Sequence, residues 1–190
     1  MKNKIWIIVI IAGILVLSAT ALIYILNKKS ADQGSFLEKN DFLIYVPEGW
    51  VETNPPAGIT TMILDAEEDI TGTAAEKLNF RTYYSVIYDN LADNSKEDYI
   101  TISKQSLVEA IPGLEITEEN SETINNRDVY FMEAEFNQKD VDFKSLITII
   151  SGEGDDVWII SFNTMKSSWG KYKNLFYDIS ESFELKLASQ

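Results

Sequence analysis

The sequence predicts an α+β domain, an antiparallel β-sheet with helices packed on its faces, preceded by one N-terminal transmembrane helix. Three observations carry that reading. The run from Ile5 through Leu26, IWIIVIIAGILVLSATALIYIL, is 22 residues without a charge. As a helix it extends about 33 Å, enough to cross a hydrocarbon core of roughly 30 Å. Farther on, Tyr130, Met132, Ala134 and Phe136 alternate with Glu133 and Glu135, the period of a strand with one wet face. At the end, Trp169, Tyr172, Phe176, Ile179 and Phe183 recur at spacings of three and four, which lays a closing helix on the sheet. Strands, one helix, a run of antiparallel strands and a last helix give α+β.

Residues 1–29 are read as a membrane anchor. Lys2 and Lys4 ahead of an apolar run, with Ala19-Thr20-Ala21 as a small-x-small site, also fit a cleaved secretory signal. A signal's apolar region, however, is about 7–15 residues long, and this one continues through Leu22, Ile23, Tyr24, Ile25 and Leu26. The uncleaved signal-anchor is favoured, and without cysteine a lipidated N-terminal cysteine is excluded. Lys2, Lys4 and the amino terminus stand against Lys28 and Lys29, which are soon followed by Asp32 and Glu38. Basic flanks stay inside, so the expected protein is single-pass in the cell membrane with its domain outside the cytoplasm. Residues 30–41 (SADQGSFLEKND) form a polar tether that spans at most about 40 Å.

The domain is expected over 42–187. Residues 42–46 (FLIYV) are a strand halted by Pro47, which places its end at a sheet edge or a bend. Trp50 plugs the core at the sheet's end, with ligand stacking as the alternative. After the Asn54–Gly58 turn, ITTMILD (59–65) is a short strand. Residues 66–78 follow as a polar loop with at most a helical turn, and FRTYYSVIY (80–88) is a longer strand. Tyr83 and Tyr84 are candidates for a partner surface, although alternation buries one of them. Ser95 with Asp98 caps a helix over 96–111 whose Ile100, Leu107, Val108 and Ile111 share a face, and Pro112-Gly113 ends it. Residues 114–124 turn at Asn125-Asn126 into the alternating strand 128–137. FKSLITIIS (143–151) and DVWIISF (156–162), joined by Gly152–Asp155, are apolar nearly throughout and need cover on both faces. Ser167 or Ser168 caps the last helix.

Charge and two absences restrict function. Four of the 16 basic residues lie in the anchor region, leaving 12 against 30 acidic ones. Such a surface repels phosphate backbones and favours cations or basic partners, so no nucleic-acid role is expected. Without cysteine there are no disulfides, thiol nucleophiles or cysteine zinc sites. Without histidine the commonest general base and transition-metal ligand are missing. Three acidic groups could hold a hard cation such as calcium: Asp65 with Glu67, Glu68 and Asp69; Asp89 with Asp93; and Glu153 with Asp155 and Asp156. None has the alternating pattern of a calcium loop, and each is more simply a solvated loop. Glu133 and Glu135, about 7 Å apart on one strand face, have the form of a glycosidase pair, but chance suffices in so acidic a chain. Gly152-x-Gly154 lies between strands and is a hairpin rather than a phosphate loop.

The order of features resembles one family. FLIYVPEGW is similar to the strand-Pro-x-Gly-Trp opening of PsbP-like domains. VWIISFNTMKSSWGKYKNLFYDISESFEL resembles their last strand and closing helix, and Asn126-Arg127 falls where the family turns into an aromatic-bearing strand, here with Tyr130. The resemblance covers roughly 42–185 and implies a three-layer α/β/α sandwich. In phototrophs PsbP is an extrinsic photosystem II subunit that helps retain calcium and chloride, and an import factor for the Ran GTPase shares the fold. The histidines tied to metal in the plant protein have no counterpart here. The expectation is a non-enzymatic, membrane-tethered accessory or assembly factor that binds a protein partner, a basic one being favoured by the charge. The alternative is a calcium-binding accessory protein using Glu67, Glu68 and Asp69.

Overall fold

The computed structural model describes residues 34–186; the anchor 1–29, with its membrane run, and the start of the tether lie outside the described residues. A small sheet joins β1 (Ser35–Glu38), β2 (Phe42–Val46) and β10 (Glu184–Leu185), with β2 in the middle. The larger sheet contains β3 (Trp50–Thr53), β4 (Thr61–Asp65), β5 (Tyr83–Asn90), β6 (Glu115–Ile124), β7 (Arg127–Gln138), β8 (Val141–Ser151) and β9 (Asp156–Met165). Its order is β3-β4-β5-β9-β8-β7-β6, antiparallel at every junction. The helices are α1 (Ala74–Leu78), α2 (Lys96–Ala110) and α3 (Trp169–Glu181).

Strand alternation sorts the core into two layers. Tyr83, Ile87, Met132, Ala134, Ile147 and Ile159 point to the side covered by α1 and α2. Tyr84, Val86, Phe131, Leu146, Ile160 and Phe162 point to the side covered by α3 and the small sheet. Because both faces are covered, β8 and β9 are buried along nearly their whole length, as their unbroken apolar runs require. The tight hairpin expected at Asn125-Asn126 is present: both residues have positive φ, 52° and 59°, and Ile124 pairs with Arg127. That left-handed pair matches the twist of the flanking strands.

Several expectations are corrected. Residues 35–38, assigned to the tether, form β1 and pair with β2. Residues 42–46 belong to a separate sheet, because the chain bends at Pro47 and enters the larger sheet at Trp50. Tyr83 and Tyr84 are both buried, one in each layer, and offer no partner surface. Glu133 is not on a wet face: α3 covers it, and it is 1% exposed. On α2 the buried residues are Tyr99, Ser103 and Leu107, whereas Val108 is 48% exposed. At about 100° per residue Val108 lies far around the helix from that stripe. A 3-10 turn, Lys166–Ser168, precedes α3, and Ser168 makes no side-chain capping bond. Trp50 is core: it is buried, tilted against Tyr84 and edge-on to Tyr172.

Candidate functional site

An open concavity lies between α2 and the β6–β7 hairpin. Ser95 starts α2 by accepting the Asp98 amide at 3.1 Å, and Glu97 and Asp98 in the first turn suit its positive end. Tyr99 and Leu107 then pin the helix to the sheet, but its N-terminal half stands off from the hairpin. The cleft left between them has a volume of about 670 Å³. Leu91, Tyr99, Ile100, Tyr130, Ile149 and Val157 give it an apolar floor. Charged groups ring the mouth. Lys96 on the helix meets Asp128 on β7 at 2.6 Å, and Lys104 pairs with Glu119 on β6. The Tyr130 hydroxyl also donates to Glu119. The Lys104 and Tyr130 hydrogen bonds hold the Glu119 carboxyl below its ordinary value. Burial, and then the bond to Glu119, push the Tyr130 phenol up. Glu97 adds a further carboxylate to the rim.

The acidic groups singled out from the sequence go different ways. Glu68 turns inward and accepts the backbone amide of Thr82 at 2.5 Å and its hydroxyl at 2.9 Å. Asp69 turns outward and accepts the Thr71 amide at 2.9 Å, the bond that chiefly lowers its carboxyl. The Glu67 carboxylate lies over Gly49. Asp89 accepts the Tyr99 hydroxyl, Asp156 accepts that of Tyr88 at 2.6 Å, and Glu153 pairs with Arg127 at 2.7 Å. Among the described residues no three such groups converge as a metal site would require.

Glu133 and Glu135 do share a face, together with three lysines. Lys144 lies 3.0 Å from Glu133 and 3.1 Å from Glu135. Lys173 of α3 reaches Glu133 at 2.8 Å, the Tyr177 hydroxyl donates to it at 3.1 Å, and Lys166 binds Glu135 at 2.5 Å. Burial by itself raises the Glu133 carboxyl, but the hydrogen bonds from Lys173 and Lys144 outweigh it and leave the group below its ordinary value. Glu135 is lowered as well, first by Lys166. Two ionised, lysine-bound carboxylates contain no general acid, which a glycosidase pair needs. This is a structural clamp between sheet and helix.

Two features were not foreseen from the sequence. One is the cleft, whose floor comes from α2, β7, β8 and β9 at once. The other is the buried contact at the start of α3, where Tyr172 donates to Asp65 at 2.7 Å. The clamp, by contrast, left a trace: Lys144 interrupts an apolar strand directly opposite Glu135.

No family profile matches the chain, and no curated protein matches it by sequence. Solved structures do match. PsbP of the cyanobacterium Synechocystis sp. PCC 6803 superposes with a TM-score of 0.63 at 14% identity, over 86% of this chain and 99% of that one. LpqN of Mycobacterium tuberculosis, described as involved in cell envelope biogenesis, gives 0.61 at 10% identity, over 82% and 91%. PA94, a protein of unknown function from Pseudomonas aeruginosa, gives 0.55 at 10% identity, over 83% and 98%. At such identities the likeness is one of fold, and the fold agrees with the opening and closing motifs and with the two-layer core: this chain has a PsbP-like fold.

Proposed function

We propose that the protein is a non-enzymatic accessory factor, tethered to the cell membrane by the run from Ile5 through Leu26 with its domain outside the cytoplasm, that binds a basic protein partner at the α2–β6–β7 cleft. One observation carries the reading: an apolar floor lies open beneath a rim on which the carboxylates of Glu97, Glu119 and Asp128 outnumber the amines of Lys96 and Lys104. Apolar clefts of this size are where proteins take ligand groups, and a rim of net negative charge favours a cationic partner. The lack of histidine and cysteine, and the lysine-bound state of the Glu133–Glu135 pair, support a binding role over a catalytic one. The fold shared with LpqN supports a place in the cell envelope.

Site-specific photocrosslinking of the full chain in its native membrane tests this. A crosslinker at Thr101 or Thr123, on the cleft, is expected to trap a basic protein that a crosslinker at Lys77, outside the cleft, does not. Adducts from Lys77 alone would remove the proposal.

A further inference from the structure

We infer that β6 is a strand-addition site: an extended segment of the partner, carrying Lys or Arg at alternate positions, pairs with the open edge of β6 over residues 118–124. This rests on the partner-binding reading and specifies how the partner is held. β6 ends the order of the seven-stranded sheet, with β7 on one side and no strand on the other among the described residues. The outer backbone N–H and C=O groups of such an edge are a template for another chain. The opposite edge is blunted. β3 has four residues and lies between Pro47 and the Pro55-Pro56 pair, and proline cannot donate to a ladder. β6 has ten residues, none of them proline or glycine. Its irregularity, between Ile116 and Glu118, leaves 118–124 in regular register with β7. Apart from Ile116 and Ile124, which are partly covered, every residue of the strand is exposed.

Charge selects the occupant. β6 contains Glu115, Glu118, Glu119 and Glu122 and no basic residue. A second copy of β6 would set carboxylate against carboxylate, and like charges across a strand pair are unfavourable. A segment with cations at alternate positions meets the reverse. Opposite β7, Glu118 and Glu122 pair with Glu133 and Val129, whereas Glu119 and Ser121 pair with Met132 and Tyr130. Glu118 and Glu122 therefore share the α3 side, and Glu119 and Ser121 the cleft side. An added strand, about 4.8 Å beyond β6, carries its Lys or Arg beside Glu118 and Glu122 and its alternate, apolar side chains at the mouth of the cleft. Glu118 already meets Lys173, at 3.3 Å with both side chains well exposed. Glu122 accepts the Asn120 amide at 2.6 Å.

The test uses the full chain in nanodiscs and a peptide of about ten residues alternating Lys and Val. It is set against the same peptide N-methylated at every second residue, which keeps side chains and charge but loses the ladder donors on one edge. The unmodified peptide is expected to bind about tenfold or more tightly than the methylated one, since several backbone hydrogen bonds distinguish them. It is also expected to slow amide exchange within 118–124, and Glu122→Lys is expected to weaken its binding several-fold. Equal binding of the two peptides, or no slowing within 118–124, overturns strand addition. Crosslinking from the cleft then still reports independently on whether a partner binds there. Concentration-dependent protection of 118–124 without peptide would give the edge to a second copy and overturn the inference too.

Discussion

The two faces of the seven-stranded sheet are built differently. On the α3 side, Phe176 stacks on Phe162 and Tyr172 with centroids 4.8 and 5.8 Å away. Phe42 joins Trp158 and Phe183, and the carboxylates of Glu133 and Glu135 are folded into the Lys144 clamp. On the α2 side the helix is held by a narrow stripe, and an open cleft with solvent-facing ion pairs lies beside it. The difference separates two tasks. A face sealed by aromatic packing supplies stability, and the face left partly open is free to meet something else.

The strongest way to break this comparison is to delete packing on each side in turn. Phe176→Ala is expected to cost about 3–5 kcal/mol in urea unfolding, whereas Ile100→Ala, partly exposed on the cleft floor, should cost about 1 kcal/mol. Equal losses would mean that the two faces bear the load alike.

Next comes the clamp. Glu133→Gln removes a buried charge from Lys144 and Lys173 and should cost about 1–3 kcal/mol. Lys144→Met, which removes the one cation shared by both carboxylates and leaves each with a single lysine, should cost a similar amount by the same measurement.

Acid sharpens the contrast further. The Glu133 and Glu135 carboxyls are lowered in the fold, so the stability they contribute is fully present above the unfolded value of about 4.3. It is lost as the pH falls through their lower folded values. Unfolding followed from pH 6 downwards should therefore steepen below about pH 4, and Glu133→Gln should flatten part of that slope. A slope left unchanged would show that the clamp is not the acid-sensitive element.

The smallest effect is expected at the cleft mouth. Lys104→Ala breaks an exposed pair with Glu119 and should cost under about 1 kcal/mol, a loss that shrinks as salt is added. A thermal melt at low and high salt measures it.

Much of the fold was legible in the sequence because its cues are local. The alternation in β7, the apolar runs of β8 and β9, the Asn125-Asn126 turn and the aromatic stripe of α3 each report on a few neighbouring residues. What escaped depends on distant partners. Ser35, Phe36, Leu37 and Glu38, set within a polar tether, become β1 only because β2 lies beside them. Pro47 reads equally well as an edge or as a passage between sheets. Glu133 looked wet because the helix that covers it, with Lys173 and Tyr177, lies some forty residues on. The hairpin at Lys139-Asp140, both at positive φ, would have paired Glu135 with Lys144 and given the clamp away, but neither residue is the glycine that usually marks such a turn. The cleft had no local signature at all, since no single segment forms it.

The small sheet has a consequence for how the domain can be connected. β1 and β10 flank the same strand, β2, and Lys186 closes the ring by pairing with Glu38 and donating its amide to Asp41. β1 and β10 run parallel on the two sides of β2, so the chain enters beside Val46 and leaves beside Phe42. The two points are about 20 Å apart on one small sheet, near enough for circular permutation. A flexible linker of about ten residues from 186 to 34, with new ends opened at the exposed Gly154 turn, should preserve the sandwich. For the same reason, a module joined after 186 would depart from the end of the small sheet opposite to the one where the chain arrives, and a fused reporter would be offset from the tether by about 20 Å.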